Sequence, residues 1–268
     1  PITVKSFSPW FYRGINDFDG DGRADLAVYD EGKGLWYITK VDGTVLAWAV
    51  NWGGPGFTPL IGDYNQDRKA DLALYHESTG TWYVRSLEGN VIAWAVFWGG
   101  PGFKPVWGDF DVDGNIDFAV FQPETGNWFI RTLSGGVMAW ALNWGGENFQ
   151  PVWGDYDGDC RQDLAVYDNT EWKWYARSMN GTVLLWADLW GGAEGFIPVP
   201  GDYDGDGTDD MAIYDSESGL WFVKTVTGRI LVWGLSWGGP GLVPVSGDYD
   251  GDGVSDFAIY CPENGAWF

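Results

Sequence analysis

A nine-residue phrase with aspartates at positions one, three, five and nine, repeated six times with a single Asn substitution, is the part of this sequence where chemistry is concentrated. The clearest copy is Asp248-Tyr249-Asp250-Gly251-Asp252-Gly253-Val254-Ser255-Asp256, with the pattern D-x-D-x-D-G-x-x-D. Carboxylates packed this closely repel one another unless a cation sits among them. Hard oxygen donors at positions one, three and five, with glycine at six for the sharp turn, are what the first half of an EF-hand loop offers Ca²⁺. Position seven adds a backbone carbonyl, and the closing acid falls at nine instead of twelve. Mg²⁺ fits less well, because it prefers strict octahedral geometry and keeps its waters. The plain alternative is an acidic, solvated turn.

The candidate metal ligands are Asp17, Asp19, Asp21, Arg23 (by its carbonyl) and Asp25 in loop one. Loop two offers Asp63, Asn65, Asp67, Lys69 and Asp71; loop three Asp109, Asp111, Asp113, Asn115 and Asp117. Loop four offers Asp155, Asp157, Asp159, Arg161 and Asp163; loop five Asp202, Asp204, Asp206, Thr208 and Asp210; loop six Asp248, Asp250, Asp252, Val254 and Asp256. Four to six Ca²⁺ are expected, with loop two the weakest. It has Asn65 for an acid, Arg68 for the glycine and Lys69 beside it. Loops one, three, five and six keep Gly22, Gly114, Gly207 and Gly253 at position six, while loop four has Cys160 there. If that residue takes positive φ, its side chain costs roughly 1 kcal/mol or more.

Charge follows the loops. The net charge is −23; the pattern positions of the six loops hold 23 of the 38 acids, and the other 15 balance the 15 Lys plus Arg. Nucleic acid is excluded as a partner, since it requires a basic footprint. No run of 18 apolar residues exists, so membrane insertion is not expected either. No signal-peptide pattern opens the chain, which starts at Pro1 as a processed or trimmed product would.

The first aspartates, Asp17, Asp63, Asp109, Asp155, Asp202 and Asp248, are spaced by 46 residues with a single step of 47. A fixed period in this range with four short strands per unit signals a β-propeller. In one unit the strands read Lys104–Gly108, Phe118–Phe121, Trp128–Arg131 and Val137–Leu142, each β-branched or aromatic and bounded by turn residues. The expected fold is all-β: one six-bladed propeller domain over 1–268, with four-stranded antiparallel blades. The sixth unit stops at Trp267-Phe268, within its third strand. The first unit opens near Phe11–Ile15, after an extra segment, Ile2–Phe7. That segment is expected to close the last blade as its fourth strand, removing an exposed sheet edge.

The 20 tryptophans fall mostly at three recurring places. Trp36, Trp82, Trp128, Trp174, Trp221 and Trp267 open strand three. Trp48, Trp94, Trp140, Trp186 and Trp233 lie inside strand four, and Trp52, Trp98, Trp144, Trp190 and Trp237 end it. By the period of two, Leu46, Trp48, Val50 and Trp52 share one face, which reads as packing between blades. Trp107, Trp153 and Trp172 are extra to the repeat and are candidates for stacking on sugar C–H groups.

A second candidate ligand surface is the Gly-rich loop after strand four, Trp52-Gly53-Gly54-Pro55-Gly56-Phe57 and its equivalents Trp98–Phe103 and Trp144–Phe149. Up-and-down strand order puts these loops on the face opposite the acidic loops. Tight structural turns are the alternative reading. Arg85, Arg131, Arg177 and Lys224 follow the strand-three Trp by three residues; they read as structural ion pairs or as contacts to an anionic glycan. No nucleophile elbow, phosphate loop or zinc pattern is present, and His76 has no equivalent in other units, so an enzyme is not expected. Cys160 and Cys261 sit at opposite faces of non-adjacent blades, which argues against a disulfide.

Gly201-Asp202-Tyr203-Asp204-Gly205-Asp206-Gly207, followed by Met211–Tyr214 and Gly219–Val223, resembles bacterial FG-GAP/VCBS repeats, also found in integrin α-subunit heads. The resemblance covers essentially the whole chain. It implies a Ca²⁺-binding propeller with ligands at the acids of each loop, usually extracellular, often in adhesion or accessory to carbohydrate-active proteins. The expected function is a non-enzymatic recognition or adhesion module with a glycan or protein ligand. It would be extracellular, cell-surface or periplasmic, and a monomer or a module of a larger chain. The alternative is a propeller-fold polysaccharide lyase or hydrolase, or its accessory domain.

Overall fold

The computed structural model describes residues 4–5, 16–192 and 194–268. Six small antiparallel sheets form a six-bladed β-propeller. Blade one holds β1 (Val4–Lys5), β2 (Leu26–Asp30), β3 (Leu35–Thr39) and β4 (Val45–Asn51). Blade two holds β5 (Phe57–Gly62), β6 (Asp71–His76), β7 (Thr81–Arg85) and β8 (Val91–Phe97). Blade three holds β9 (Lys104–Val106), β10 (Phe118–Gln122), β11 (Asn127–Arg131) and β12 (Val137–Asn143). Blade four holds β13 (Phe149–Val152), β14 (Leu164–Asp168), β15 (Lys173–Arg177) and β16 (Val183–Leu189). Blade five holds β17 (Phe196–Pro198), β18 (Met211–Asp215), β19 (Leu220–Lys224) and β20 (Ile230–Ser236). Among the described residues blade six holds three strands, β21 (Val243–Pro244), β22 (Ile259–Cys261) and β23 (Ala266–Trp267).

Burial follows the position of each strand in the blade. The second strands are mostly apolar, and in blades two to five they are almost continuously buried, because neighbouring blades cover both faces. The third strands alternate, with Trp36, Trp82, Trp128, Trp174 and Trp221 fully buried. Each of these indoles donates its N–H to the carbonyl of the Trp that ends strand four, at 2.7–3.1 Å. The third-strand Trp therefore pins the end of the outer strand as well as filling the core.

Two expectations need correction. The first concerns the N-terminal segment. Val4–Lys5 pairs with β2, Val4 opposite Asp30 and Lys5 opposite Tyr29, so it is the inner strand of blade one and not a fourth strand of blade six. Phe57 stands opposite His76 in blade two in the same way, so the segment fills an inner edge that β2 would otherwise expose. The rest of Ile2–Phe7, and the opening strand placed at Phe11–Ile15, lie outside the described residues.

What joins blade six to blade one is a ring of loops. The backbone N–H at position eight of each acidic loop donates to the carbonyl of the first aspartate of the preceding loop. The pairs are Ala70–Asp17, Ile116–Asp63, Gln162–Asp109, Asp209–Asp155, Ser255–Asp202 and, across the junction of the ends, Ala24–Asp248, all at 2.7–3.0 Å.

The second correction concerns strand four. Trp48, Trp94, Trp140, Trp186 and Trp233 are not inter-blade core; they are 65–71% exposed. Alternation breaks at a bulge. Tyr37 pairs with Trp48 and Trp36 with Val50, leaving Ala49 unpaired at φ 55°. Ala95, Ala141, Ala187 and Gly234 have positive φ at the same place in later blades. One extra residue reverses the facing of everything beyond it. Trp48 therefore does not share a face with Val50 and Trp52.

Candidate functional site

Each acidic loop is folded around its first and last aspartates. The first accepts backbone N–H bonds from positions four and six; for Asp248 these come from Gly251 at 2.7 Å and Gly253 at 2.8 Å. The last accepts the N–H of position two in all six loops, for example Phe18 to Asp25 and Tyr249 to Asp256, both at 2.8 Å. Positions four and six carry positive φ throughout, which glycine adopts without cost. Cys160 at 68° and Arg68 at 65° adopt it with side chains, and so does β-branched Val112 at 60°.

In five loops three carboxylates converge, with one oxygen from each within 4.8 Å of the others. These are Asp17, Asp19 and Asp25; Asp109, Asp111 and Asp117; Asp155, Asp157 and Asp163; Asp202, Asp204 and Asp206; and Asp248, Asp250 and Asp256. Asp21, Asp113, Asp159, Asp210 and Asp252 stand outside these groups of three. Among the described residues, Asp63, Asp67 and Asp71 of loop two form no such group. At position seven the structure shows the N–H of Arg23, Lys69, Asn115, Arg161, Thr208 and Val254 donated to the position-five carboxylate, at 2.8–3.0 Å.

Electrostatics mark the closing aspartates. Burial pushes Asp25, Asp71 and Asp210 up to about 7, and Asp117 and Asp163 up to about 8, against the lowering effect of the N–H bond. Asp256 is raised for the same reason. In Asp117, Asp163 and Asp210 the second oxygen is buried and accepts no hydrogen bond among the described residues. A buried anionic oxygen without a donor is costly. Hard oxygen donors grouped in this way, with lone pairs to spare, fit a Ca²⁺-sized cation. Loop two differs: the Asn65 amide donates to Asp71 Oδ1 at 3.4 Å.

The sequence reading missed two cations. Lys40 bridges Asp19, at 2.7 Å, and Asp21. Arg229 pairs with Asp204. Both belong to hairpins between strands three and four, which strand order places on the same face as the acidic loops.

The Gly-rich loops are packed turns. The Tyr29 hydroxyl accepts the N–H of Gly54 at 2.8 Å, and Tyr75 and Tyr214 do the same for Gly100 and Gly239. A Cβ on Gly53 would stand 2.2 Å from the Tyr29 hydroxyl oxygen. Phe57, Phe103 and Phe149 lie against Tyr83, Phe129 and Tyr175 of their own blades. Trp52, Trp98 and Trp144 are half-buried between blades. Each carries a guanidinium of the next blade over its ring: Arg85, Arg131 and Arg177, at 5.5–5.6 Å. Among the described residues the three arginines thus stack on indoles and form no ion pair. Lys224 does both, lying 4.9 Å from the Trp190 ring and pairing with Asp188.

Trp172 is half-buried at φ 56° and packs in the blade-four core. Trp107 and Trp153 are buried and lie side by side, ring centres 5.2 Å apart. His76 closes β6 with its ring against Phe57. Cys160 and Cys261 are free thiols.

The FG-GAP-like repeat family model matches two stretches of the chain, residues 17–74 and 155–213, each running from one acidic loop into the next unit of the six-bladed propeller. No curated protein sequence matches the chain. Among solved structures it is similar to a catalytically inactive virginiamycin B lyase from Staphylococcus aureus with quinupristin. That match has TM-score 0.58 and 12% identity, covering 92% of this chain and 80% of the other. It is also similar to an Agrocybe aegerita lectin specific for non-reducing terminal N-acetylglucosamine, with TM-score 0.55 and 15% identity, covering 91% and 73%. At these identities the likeness is one of fold. No helix of the described residues is long and apolar enough to cross a membrane.

Proposed function

We propose that this protein is a Ca²⁺-stabilised recognition module that binds carbohydrate at repeated sites on its outer rim, in a calcium-rich extracellular or periplasmic setting. The observation that carries the reading is the set of five equivalent indoles held 65–71% exposed. Large aromatic faces left in water mark interaction surfaces. Four of them sit in the same surroundings. Trp94 lies 5.9 Å from Trp52 of the preceding blade and edge-on to Tyr83 at 5.3 Å, with Arg85 over the Trp52 ring. Trp140, Trp186 and Trp233 repeat this with Trp98, Trp144 and Trp190. A flat apolar face beside a fixed cation suits a sugar ring, whose C–H groups stack while its hydroxyls seek polar partners. The acidic loops, on one face of the disc, hold the blades in register and leave the rim free.

A glycan array followed by calorimetry tests this. Near four equivalent weak sites per chain are expected, with avidity gained on multivalent glycans. Trp94→Ala and Trp140→Ala should each remove one site without unfolding the protein. A single protein partner, turnover of a polysaccharide, or unchanged sugar stoichiometry in both variants would overturn the reading.

A further inference from the structure

A central cavity of about 530 Å³ lies between the inner strands of blades two, three and four, apart from the rim. Its size is within the roughly 300–1,000 Å³ of small-molecule sites. Unlike the rim it is not repeated. The last residue of the strand-one run varies from blade to blade: Ile61, Trp107, Trp153, Pro200 and Ser246. Only blades three and four place indoles there. Those two rings, tilted 31° to each other, line the end of the cavity nearer the acidic loops.

Pro59, Pro105 and Pro151 form the walls, and proline offers no N–H, so the interior presents few donors. Strand one runs from the Gly-rich loops towards the acidic loops, so Thr58, Lys104 and Gln150 stand at the mouth. Glu77 and Glu147 join them there from a strand-two to strand-three turn and a Gly-rich loop. The mouth therefore has two carboxylates against one ammonium, on a chain of net charge −23. That field concentrates cations.

We infer that this cavity binds one compact amphipathic cation per chain, an aromatic or aliphatic ring bearing a protonated amine. The ring lies against Trp107 and Trp153 and the amine sits at the mouth by Glu147 and Glu77.

The experiment is calorimetry of the Ca²⁺-loaded protein with 2-phenylethylamine, 2-phenylethanol and 3-phenylpropionate, which share one apolar body and differ in charge. One site per chain is expected, with the amine about tenfold tighter than the carboxylate, as a single close charge in a partly solvated site provides. Glu147→Gln, an exposed substitution, should remove most of that preference. Trp94→Ala should leave binding unchanged, so failure here and failure of the rim reading are separable. No saturable heat with the amine at millimolar concentration overturns the proposal. So does a carboxylate that binds as tightly as the amine, or amine binding that disappears in Trp94→Ala.

Discussion

The side-chain amide of Asn65 donates to Asp71 Oδ1 at 3.4 Å, at the place where Asp117, Asp163 and Asp210 each keep a buried oxygen with no donor. The amide does in loop two what a cation is proposed to do elsewhere. Asn65→Asp should therefore change loop two in opposite directions in chelator and in calcium. In chelator it loses a hydrogen bond to a charged group and gains repulsion, together worth roughly 1–3 kcal/mol. In Ca²⁺ it should add one ion to the count. Native mass spectrometry gives the count, and melting curves in the two buffers give the sign. A variant as stable as the parent in chelator, with no added ion, would sink the account.

The raised closing aspartates make metal-free stability fall with rising pH. Their folded values, about 7 to 8, lie above the unfolded value near 4, so the folded state holds extra protons between those limits. The stability they contribute is complete below about pH 4 and is lost as pH rises through about 7 to 8. Ca²⁺ must displace these protons, so its affinity should drop on acidification. In chelator the melting temperature should be higher at pH 5.5 than at pH 8.5, and in excess Ca²⁺ the difference should shrink or reverse. A metal-free protein that gains stability from pH 5.5 to 8.5 would show that burial is not what sets these groups.

The repeat was legible because its signals are local. Position-one and position-nine aspartates, a fixed period and turn glycines gave six blades and six loops, and Asn65 and Arg68 singled out loop two. Other features were not legible because they depend on geometry the pattern does not carry. One bulge residue, Ala49, turns Trp48 outward, and alanine is no signal for a bulge. The inner edge of β2 captures Val4–Lys5, a choice between two unpaired edges that counting strands cannot decide. Lys40 reaches Asp19 across 21 residues, from a hairpin whose sequence gives no sign of a partner.

Backbone conformation in the loops can be tested without disturbing packing. Gly22 has φ 85° and nothing within 4 Å of an added Cβ, so Gly22→Ala introduces strain and no clash. A loss of about 1 kcal/mol is expected. Val112, exposed at φ 60°, carries the reverse burden, because a branched side chain is poorly tolerated there. Val112→Gly should gain up to about 1 kcal/mol, reduced by the greater freedom of glycine in the unfolded chain. Denaturant unfolding of both variants at saturating Ca²⁺ measures the pair; the same sign for both would refute the reading.

The N–H of Ala24 reaches the carbonyl of Asp248 at 2.7 Å, as the N–H of Ala70 reaches that of Asp17 at 2.7 Å. The two bonds are chemically alike, and both alanines are buried. Ala70 joins blades that follow each other in the chain, whereas Ala24 joins the last blade to the first. If the ring of loops closes the propeller, both bonds do the same work. Ala24→Pro and Ala70→Pro remove the donor and leave a buried carbonyl unsatisfied, which costs roughly 1–3 kcal/mol. The two losses should agree within about 0.5 kcal/mol. Hydrogen exchange should show the Ala24 amide protected to the same degree as the Ala70 amide in the parent protein. If Ala24→Pro is tolerated while Ala70→Pro is damaging, and the Ala24 amide exchanges freely, the junction of the ends is open in solution and blade one is held by its neighbours on one side only.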